Sequence, residues 1–566
     1  MPSSSLSEQL SMAAACARPA RRAIAPMIAP MVAPMIAPMI ALLLLAPGAV
    51  ALLLLAPGAV ALRGARAPRV RGRRLNSVVD DYRAALAAQL PEVRDDAWWD
   101  TFAAASERPL RASLRCVDAA AAASFLAGAA ARNRTATAVP WAAGRGFFVD
   151  GGPPLGRDAA HVAGDFYVME AASMLPAACL VDGLDAAAAA VVVDACAAPG
   201  GKTVHLAAAL RDARSDAAVV ANELSSSRLG ALVANCRRAG VLDRVAFVHG
   251  DAGAALAAVG SADGILLDAP CSGDTQARRD GTSLRAHLAA QPKDLGPIVA
   301  TQTRLLDAAW AALRPGGALV YSTCSLRPEE DEEVVAGLLA RAPDAALEDL
   351  GHVYAGAPSA LLPGCLRVWP QDADTAGFFA ARLRKAGVSA PLSAARPACD
   401  AALRAAAATF FEGWGLEIDG AALERDGAAL WHRPAAPPLA GLRYNRVGAK
   451  LLEGLKVRGR APATDAALAR AIASGAVRVA PDFAATFGRR VSGPRRVVVD
   501  EAAAAAYLRG DDVEVPALGV SGQVLVATDE LVLGLAKAPP RTPGGQKKTR
   551  LKNQLPPACA RRDVTF

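Results

Sequence analysis

Two cysteines in this chain stand where covalent chemistry is done. Cys324 lies in YSTCS at 321–325 and Cys271 in DAPCSG at 268–273, each just past an apolar run that reads as a buried strand. If both strands belong to one parallel sheet, the thiols meet at its carboxyl rim, where α/β sheets bind their ligands. Two thiols in one pocket suggest covalent chemistry. The plainer reading of a free cysteine is a small buried core residue, and Cys179, Cys196, Cys236 and Cys365 suit it.

An element upstream could hold a cofactor beside that pocket. In VVVDACAAPGGKT at 191–203, an apolar β-branched run breaks into a Pro-Gly-Gly turn, and the Ala-rich helix HLAAALRDA follows. The turn places Cys196, Ala197, Ala198, Pro199, Gly200, Gly201 and Lys202 around a candidate binding site. It is neither GxGxxG nor a P-loop, so it favours a nucleoside over a triphosphate. Acids then close successive apolar runs: Glu223 after AVVAN, Asp251 after RVAFVHG and Asp268 after GILL. Glu223 lies roughly twenty residues past the glycine turn, where an acid can accept both ribose hydroxyls. Any one of these acids alone would read equally well as a helix N-cap. Three in series behind a glycine turn favour a binding rim.

The set DACAAPGGKT, NELSSSR, GDA, DAPCSGD with Arg278 and Arg279, and RPGGALVYSTCS resembles the NOL1/NOP2/Sun family of RNA cytosine-C5 methyltransferases. The likeness extends to FYVMEAASMLP at 166–176, RVWPQDADTAGFFAARLRK at 367–385, LRYNRVGAKL at 442–451 and LGLAK at 533–537. This pattern is similar to the bacterial 16S ribosomal RNA branch of the family, and it covers nearly everything after residue 75. The resemblance implies S-adenosylmethionine as cofactor and RNA, ribosomal RNA first, as partner. Cytosine C5 is a poor nucleophile, so a thiolate must first add to C6 and make an enamine. By resemblance that nucleophile is Cys324, while Cys271 assists product release. The same resemblance has Asp268 contact the cytosine edge and Lys202 add positive potential to the pocket. DNA cytosine methyltransferases run the same addition from the Pro-Cys position, here Cys271, so the Thr-Cys pair at 323–324 favours an RNA enzyme. A base must leave its stack to reach the thiol, which single-stranded or bulged RNA makes easier. Transfer RNA as substrate, and a non-catalytic ribosome-assembly factor, are the alternatives. Three positions depart from the family pattern: Met169 before Glu170 where glutamine is usual, Thr275 for glycine, and Cys116 after Arg115 for asparagine. They put the geometry of RNA-facing loops in question rather than the chemistry.

The formal charge of +8 over 566 residues is misleading about nucleic acid. Residues 1–74 hold nine arginines against Glu8 alone, so the rest of the chain is formally neutral. Within that rest, 537–562 is acid-free and carries Lys537, Arg541, Lys547, Lys548, Arg550, Lys552, Arg561 and Arg562, a candidate phosphate contact or a solvated end. RPLRASLR at 108–115 is a second basic cluster, whose match to the family implies an RNA-binding N-terminal domain and whose plainer reading is a solvated helical face. The first 74 residues read as a targeting leader: Arg18, Arg21 and Arg22, an apolar stretch, then six arginines between 63 and 74. Ala-Pro recurs every four residues from 25 to 38, and ALLLLAPGAV occurs twice from 41 to 60. Pro-Gly breaks argue against a membrane span within 39–62 and for removal, with no stable membrane association afterwards. The layout suggests an organelle of bacterial ancestry, a plastid before a mitochondrion. Ten cysteines without close pairing, and no clustered histidine, predict neither a disulfide scaffold nor a metal site.

We therefore expect an α/β protein with a doubly wound, Rossmann-like methyltransferase core. The leader occupies 1–74, an N-terminal RNA-binding domain 75–160, the core 161–387, and a β-rich, PUA-like RNA-binding region with its basic tail 388–566.

Overall fold

The computed structural model describes residues 73–566 except 187, 214, 216, 357, 390–398, 435–440, 442, 457–458, 541–547, 557–558 and 562–563. The expected leader up to residue 72, the span considered at 39–62, most of the Pro-containing stretch before 398, and Arg541, Lys547 and Arg562 lie outside the described residues. The chain divides into Met1–Ser77 and Val78–Phe566. Of the first unit only 73–77 are described, and they are helical. Among the described residues, the sheets all lie in the second.

The centre of this second unit is a nine-stranded sheet. In chain order the strands are β1 (Val191–Asp194), β2 (Ala218–Glu223), β3 (Val245–His249), β4 (Ala262–Asp268), β5 (Leu313–Thr323), β6 (Ala345–Glu348), β7 (Leu366–Val368), β8 (Phe378–Lys385) and β9 (Tyr444–Val447). The order is β6-β8-β5-β4-β1-β2-β3-β9, with β7 on β8. The five strands β5-β4-β1-β2-β3 are parallel, and β6, β8 and β9 add antiparallel edges. The parallel strands read as continuous apolar runs because both faces are covered. Val191, Val193, Val220, Ile265 and Tyr321 enter one apolar layer, while Val192, Val219, Leu266 and Val320 enter the other. This is the two-residue alternation of a strand inside a doubly wound fold. The crossover helices include α1 (Gly201–Asp212), α2 (Ser226–Arg238), α3 (Ala252–Val259) and α4 (Gly296–Ala312), and α5 (Glu332–Arg341) follows β5. The order reverses direction between β1 and β4, which opens a crevice at their carboxyl ends.

A four-stranded antiparallel sheet precedes the core, with strands Arg134–Ala138, Gly146–Gly151, Ala112–Cys116 and Phe166–Val168. Its last strand falls beyond the boundary expected at 160. After the core come a four-stranded sheet from Leu423 to Val479 and a five-stranded sheet from Arg496 to Asn553. The boundary expected at 387 is likewise crossed: β9 pairs with β3 through Tyr444↔Val248 and Val447↔Ala246, so a segment assigned to the C-terminal region completes the core sheet.

Within the basic cluster RPLRASLR, Arg115 is buried and Arg111 pairs with Asp150 at 2.6 Å. Part of the basic tail is a strand, Lys548–Asn553, whose Arg550 and Lys548 lie 3.2 and 3.6 Å from Asp512 and Glu514. Among the described residues no helix is long and apolar enough to cross a membrane.

Candidate active site

Strands β4 and β5 run side by side in register, Asp268 opposite Ser322. Just past their ends Cys271 and Cys324 meet, with Sγ atoms 2.9 Å apart, both free and half-buried. The hydrogen bond to Cys324, reinforced by burial and by the charges of Glu330 and Asp268, pushes the Cys271 thiol well above its ordinary value. Cys271 therefore keeps its proton and can donate it toward the sulfur of Cys324.

Asp268 and Lys202 sit beside the pair. Lys202 Nζ donates to Asp268 Oδ2 at 2.7 Å, and Ser322 Oγ donates to Oδ1 at 2.9 Å. Burial opposes the Lys202 ammonium, but the adjacent Asp268 carboxylate holds it above its ordinary value, with Cys324 adding in the same direction. The ring of Phe378 lies 5.3 Å from Nζ and packs the lysine into place. A cation is thus fixed close enough to Cys324 to interact with it electrostatically.

The turn after β1 forms the cradle that the sequence suggested. Gly200 has φ +111°, and a Cβ there would lie 3.0 Å from Leu232 Cδ1, so any other residue at this bend would be strained and crowded. Helix α1 starts at that turn with no side-chain cap, which leaves its first-turn N–H groups open to a ligand. Glu223, buried at the end of β2, accepts from the amides of Ala198 at 3.3 Å and Ser225 at 2.8 Å. Its remaining lone pairs suit hydroxyl donors. Under the cradle, Thr203 donates to Asp194 Oδ2 at 2.6 Å while Oδ1 is without a partner, and burial lifts this carboxyl to about 7. Open amides, a carboxylate at the ribose position and an acid-lined rim fit an adenosyl sulfonium cation. Residues 196–202 and Glu223 are the groups that would hold it.

Some residues picked from the sequence are otherwise engaged. Asp251 caps α3 through Ala254 N at 3.2 Å and pairs with Arg304 at 3.1 and 3.0 Å. Cys196 keeps its place in the cradle turn, with its thiol pushed up to about 12 by burial. Arg278 is buried, donating to the carbonyls of Thr375, Arg108 and Pro109 and to Asp374, and staples three segments together. Thr275, a departure from the family pattern, donates to the carbonyl of Cys324 at 2.7 Å. Sequence reasoning passed over Glu330, which accepts from Ser272 and Ser325 and so gathers both cysteine loops.

Comparison with known proteins gives the family. Residues 182–384 match the family described as 16S rRNA methyltransferase RsmB/F, and 494–559 match the methyltransferase RsmF PUA domain. The ribosomal RNA small subunit methyltransferase F of Escherichia coli (strain SMS-3-5 / SECEC) is 37% identical over 491 residues, 83% of this chain and 94% of that protein. Its namesake from Klebsiella pneumoniae (strain 342) is 40% identical over 395 residues, 66% and 78% of the two chains. A crystal structure of a methyltransferase homologue from Pyrococcus horikoshii is 28% identical and covers 56% of this chain and 100% of its own, with a TM-score of 0.47. With a relative aligned along most of both chains, and with the crevice, cradle and thiol pair in place, the chain belongs to the 16S rRNA methyltransferase RsmB/F family and is an S-adenosylmethionine-dependent methyltransferase.

Proposed function

We propose that the chain methylates C5 of a cytosine in small-subunit ribosomal RNA, with Cys324 as covalent nucleophile. The observation that carries this reading is the Cys271–Cys324 pair, 2.9 Å apart beside the Asp268–Lys202 ion pair. The Cys324 thiolate adds to C6 of a cytosine swung out of its stack, and electron density moves to C5. Lys202 stabilises the thiolate before attack, and Asp268 offers an acceptor to the exocyclic amine of the base. S-adenosylmethionine, when bound in the cradle, supplies the electrophilic methyl group. C5 takes that methyl group, a general base takes the C5 proton, the freed C–H pair re-forms the C5–C6 double bond, and the C6–S bond breaks so that Cys324 departs. Cys271, holding its proton against the Cys324 sulfur, stabilises that sulfur as it leaves with its electron pair.

The test is to incubate the protein with small-subunit RNA and tritiated S-adenosylmethionine, then digest the RNA to nucleosides. Label should run with 5-methylcytidine; label in any other nucleoside, or none, contradicts the reading. Within the cradle, Glu223→Gln should weaken cofactor binding roughly tenfold by calorimetry, since it removes a charged acceptor. Unchanged affinity would remove Glu223 from the cofactor site. The five-stranded C-terminal sheet is read as a second RNA contact, supported by its match to a PUA domain. The acid-free, arginine-rich stretch at 9–74 supports delivery to an organelle, a plastid first. A fluorescent fusion of that stretch remaining in the cytosol would contradict this.

A further inference from the structure

Glu330 takes no step in the methyl transfer, yet it is buried completely beneath the thiol pair. It lies in the loop between β5 and α5. Its Oε2 accepts from Ser272 N at 2.8 Å and Gln302 Nε2 at 2.9 Å, and its Oε1 accepts from Ser325 Oγ at 2.9 Å and from Ser272 Oγ. Four donors fill both oxygens, a pattern only a carboxylate accommodates fully. Ser272 is the neighbour of Cys271, and Ser325 is the neighbour of Cys324. Gln302, from α4, also donates to the carbonyl of Pro270 at 3.0 Å, on the other side of Cys271. Glu330 itself is held, since its carbonyl accepts from Tyr321 OH at 2.6 Å. Two loops that follow different strands are thus tied to one carboxylate.

We propose that Glu330 is a positioning residue for the thiol pair, holding the Cys271 and Cys324 loops on one buried carboxylate so that the two sulfurs stay in contact. Without it, two short loops carry thiols with no covalent link to keep them together, and burial leaves the freed donors of Ser272, Ser325 and Gln302 without partners. Each loop would then move toward other acceptors. A glutamine at this position can keep the clamp: its carbonyl can take Ser272 N and Gln302, while its amide faces two hydroxyls that can turn to accept. An alanine cannot.

The inference rests on the thiol-pair reading, so its test includes a readout that needs no methyl transfer. Phenylarsine oxide bridges two thiols only when they are close, and bridging of Cys271 to Cys324 can be scored by peptide mass spectrometry against a Cys324→Ala control. Glu330→Ala should lose bridging and lower kcat at least tenfold, with cofactor affinity kept and KM for RNA changed much less. Glu330→Gln should restore most of both. Wild-type bridging and kcat in Glu330→Ala would overturn the proposal. So would a Glu330→Gln protein as impaired as the alanine form. If Glu330→Ala fails to bind cofactor, Ser325→Ala and Gln302→Leu, which each remove one arm, decide: reduced bridging supports the clamp and wild-type bridging refutes it. A wild-type protein that bridges normally but transfers no methyl group would refute the proposed reaction while leaving the clamp standing.

Discussion

Cys324→Ala should abolish methyl transfer, by at least about 10³-fold, because no other group is placed to add to C6. The other described cysteines of the core are poor substitutes: burial pushes the thiols of Cys179, Cys196, Cys236 and Cys365 well above their ordinary value. Cys271 is the nearest thiol but is held protonated by its contact with Cys324, by burial and by neighbouring acids. Cys271→Ala should behave differently. The nucleophile survives, attack proceeds, and departure of the Cys324 sulfur loses its hydrogen-bond donor. That variant should accumulate a protein–RNA adduct stable to denaturing electrophoresis. Equal loss of transfer in both variants, with adduct in neither, would mean that the pair acts as one structural unit rather than as nucleophile and partner.

The largest stability effect is expected at Arg367. This guanidinium is buried; Nε donates to Glu332 Oε1 at 2.9 Å, Nη2 reaches Glu332 Oε2, Nη1 donates to the Leu326 carbonyl, and Asp331 Oδ2 lies 3.3 Å away. The indole of Trp369 and the ring of Phe379 flank it at 5.4 and 5.8 Å. Arg367→Met fills similar volume but strands Glu332 in the interior, and losing one partner of such a group costs about 3–5 kcal/mol. The damage should reach the site, because Asp331 also accepts from Thr323 Oγ1 at 2.5 Å, one residue before Cys324. Urea unfolding followed by cofactor binding should show a clearly lowered midpoint for Arg367→Met. A midpoint close to wild type would show that the network contributes little.

Most of the core was legible in the sequence because its signals are local. Continuous runs such as VVVD, AVVAN and GILLD can only be strands covered on both faces, and an acid or a cysteine directly after each run marks the rim where ligands sit. The pairing of Cys271 with Cys324 followed from placing two such runs in one sheet. Long-range contacts were harder to read. Nothing around YNRV announces that it returns to pair with β3, since edge pairing depends on where the intervening chain leaves it. RPLRASLR looked uniformly basic because sequence does not show that Arg115 points into the interior and Arg111 meets Asp150. Asp251 kept its rim position but spends its carboxylate on a helix cap and Arg304, the competing role open to any acid that precedes a helix. Glu330 was missed for a related reason. A glutamate in a charged RPEEDEE run reads as solvated, and only the folded loops show it fully buried under two cysteines.

The most direct test of Cys324 as the nucleophile is to identify the cysteine bonded to RNA. The adduct formed by Cys271→Ala protein with small-subunit RNA and S-adenosylmethionine should be trimmed by nuclease and protease and sequenced by tandem mass spectrometry. The expected species is a methylated cytidine linked through C6 to the sulfur of Cys324. A link to any other residue, or a trapped base other than cytosine, would contradict the proposed mechanism.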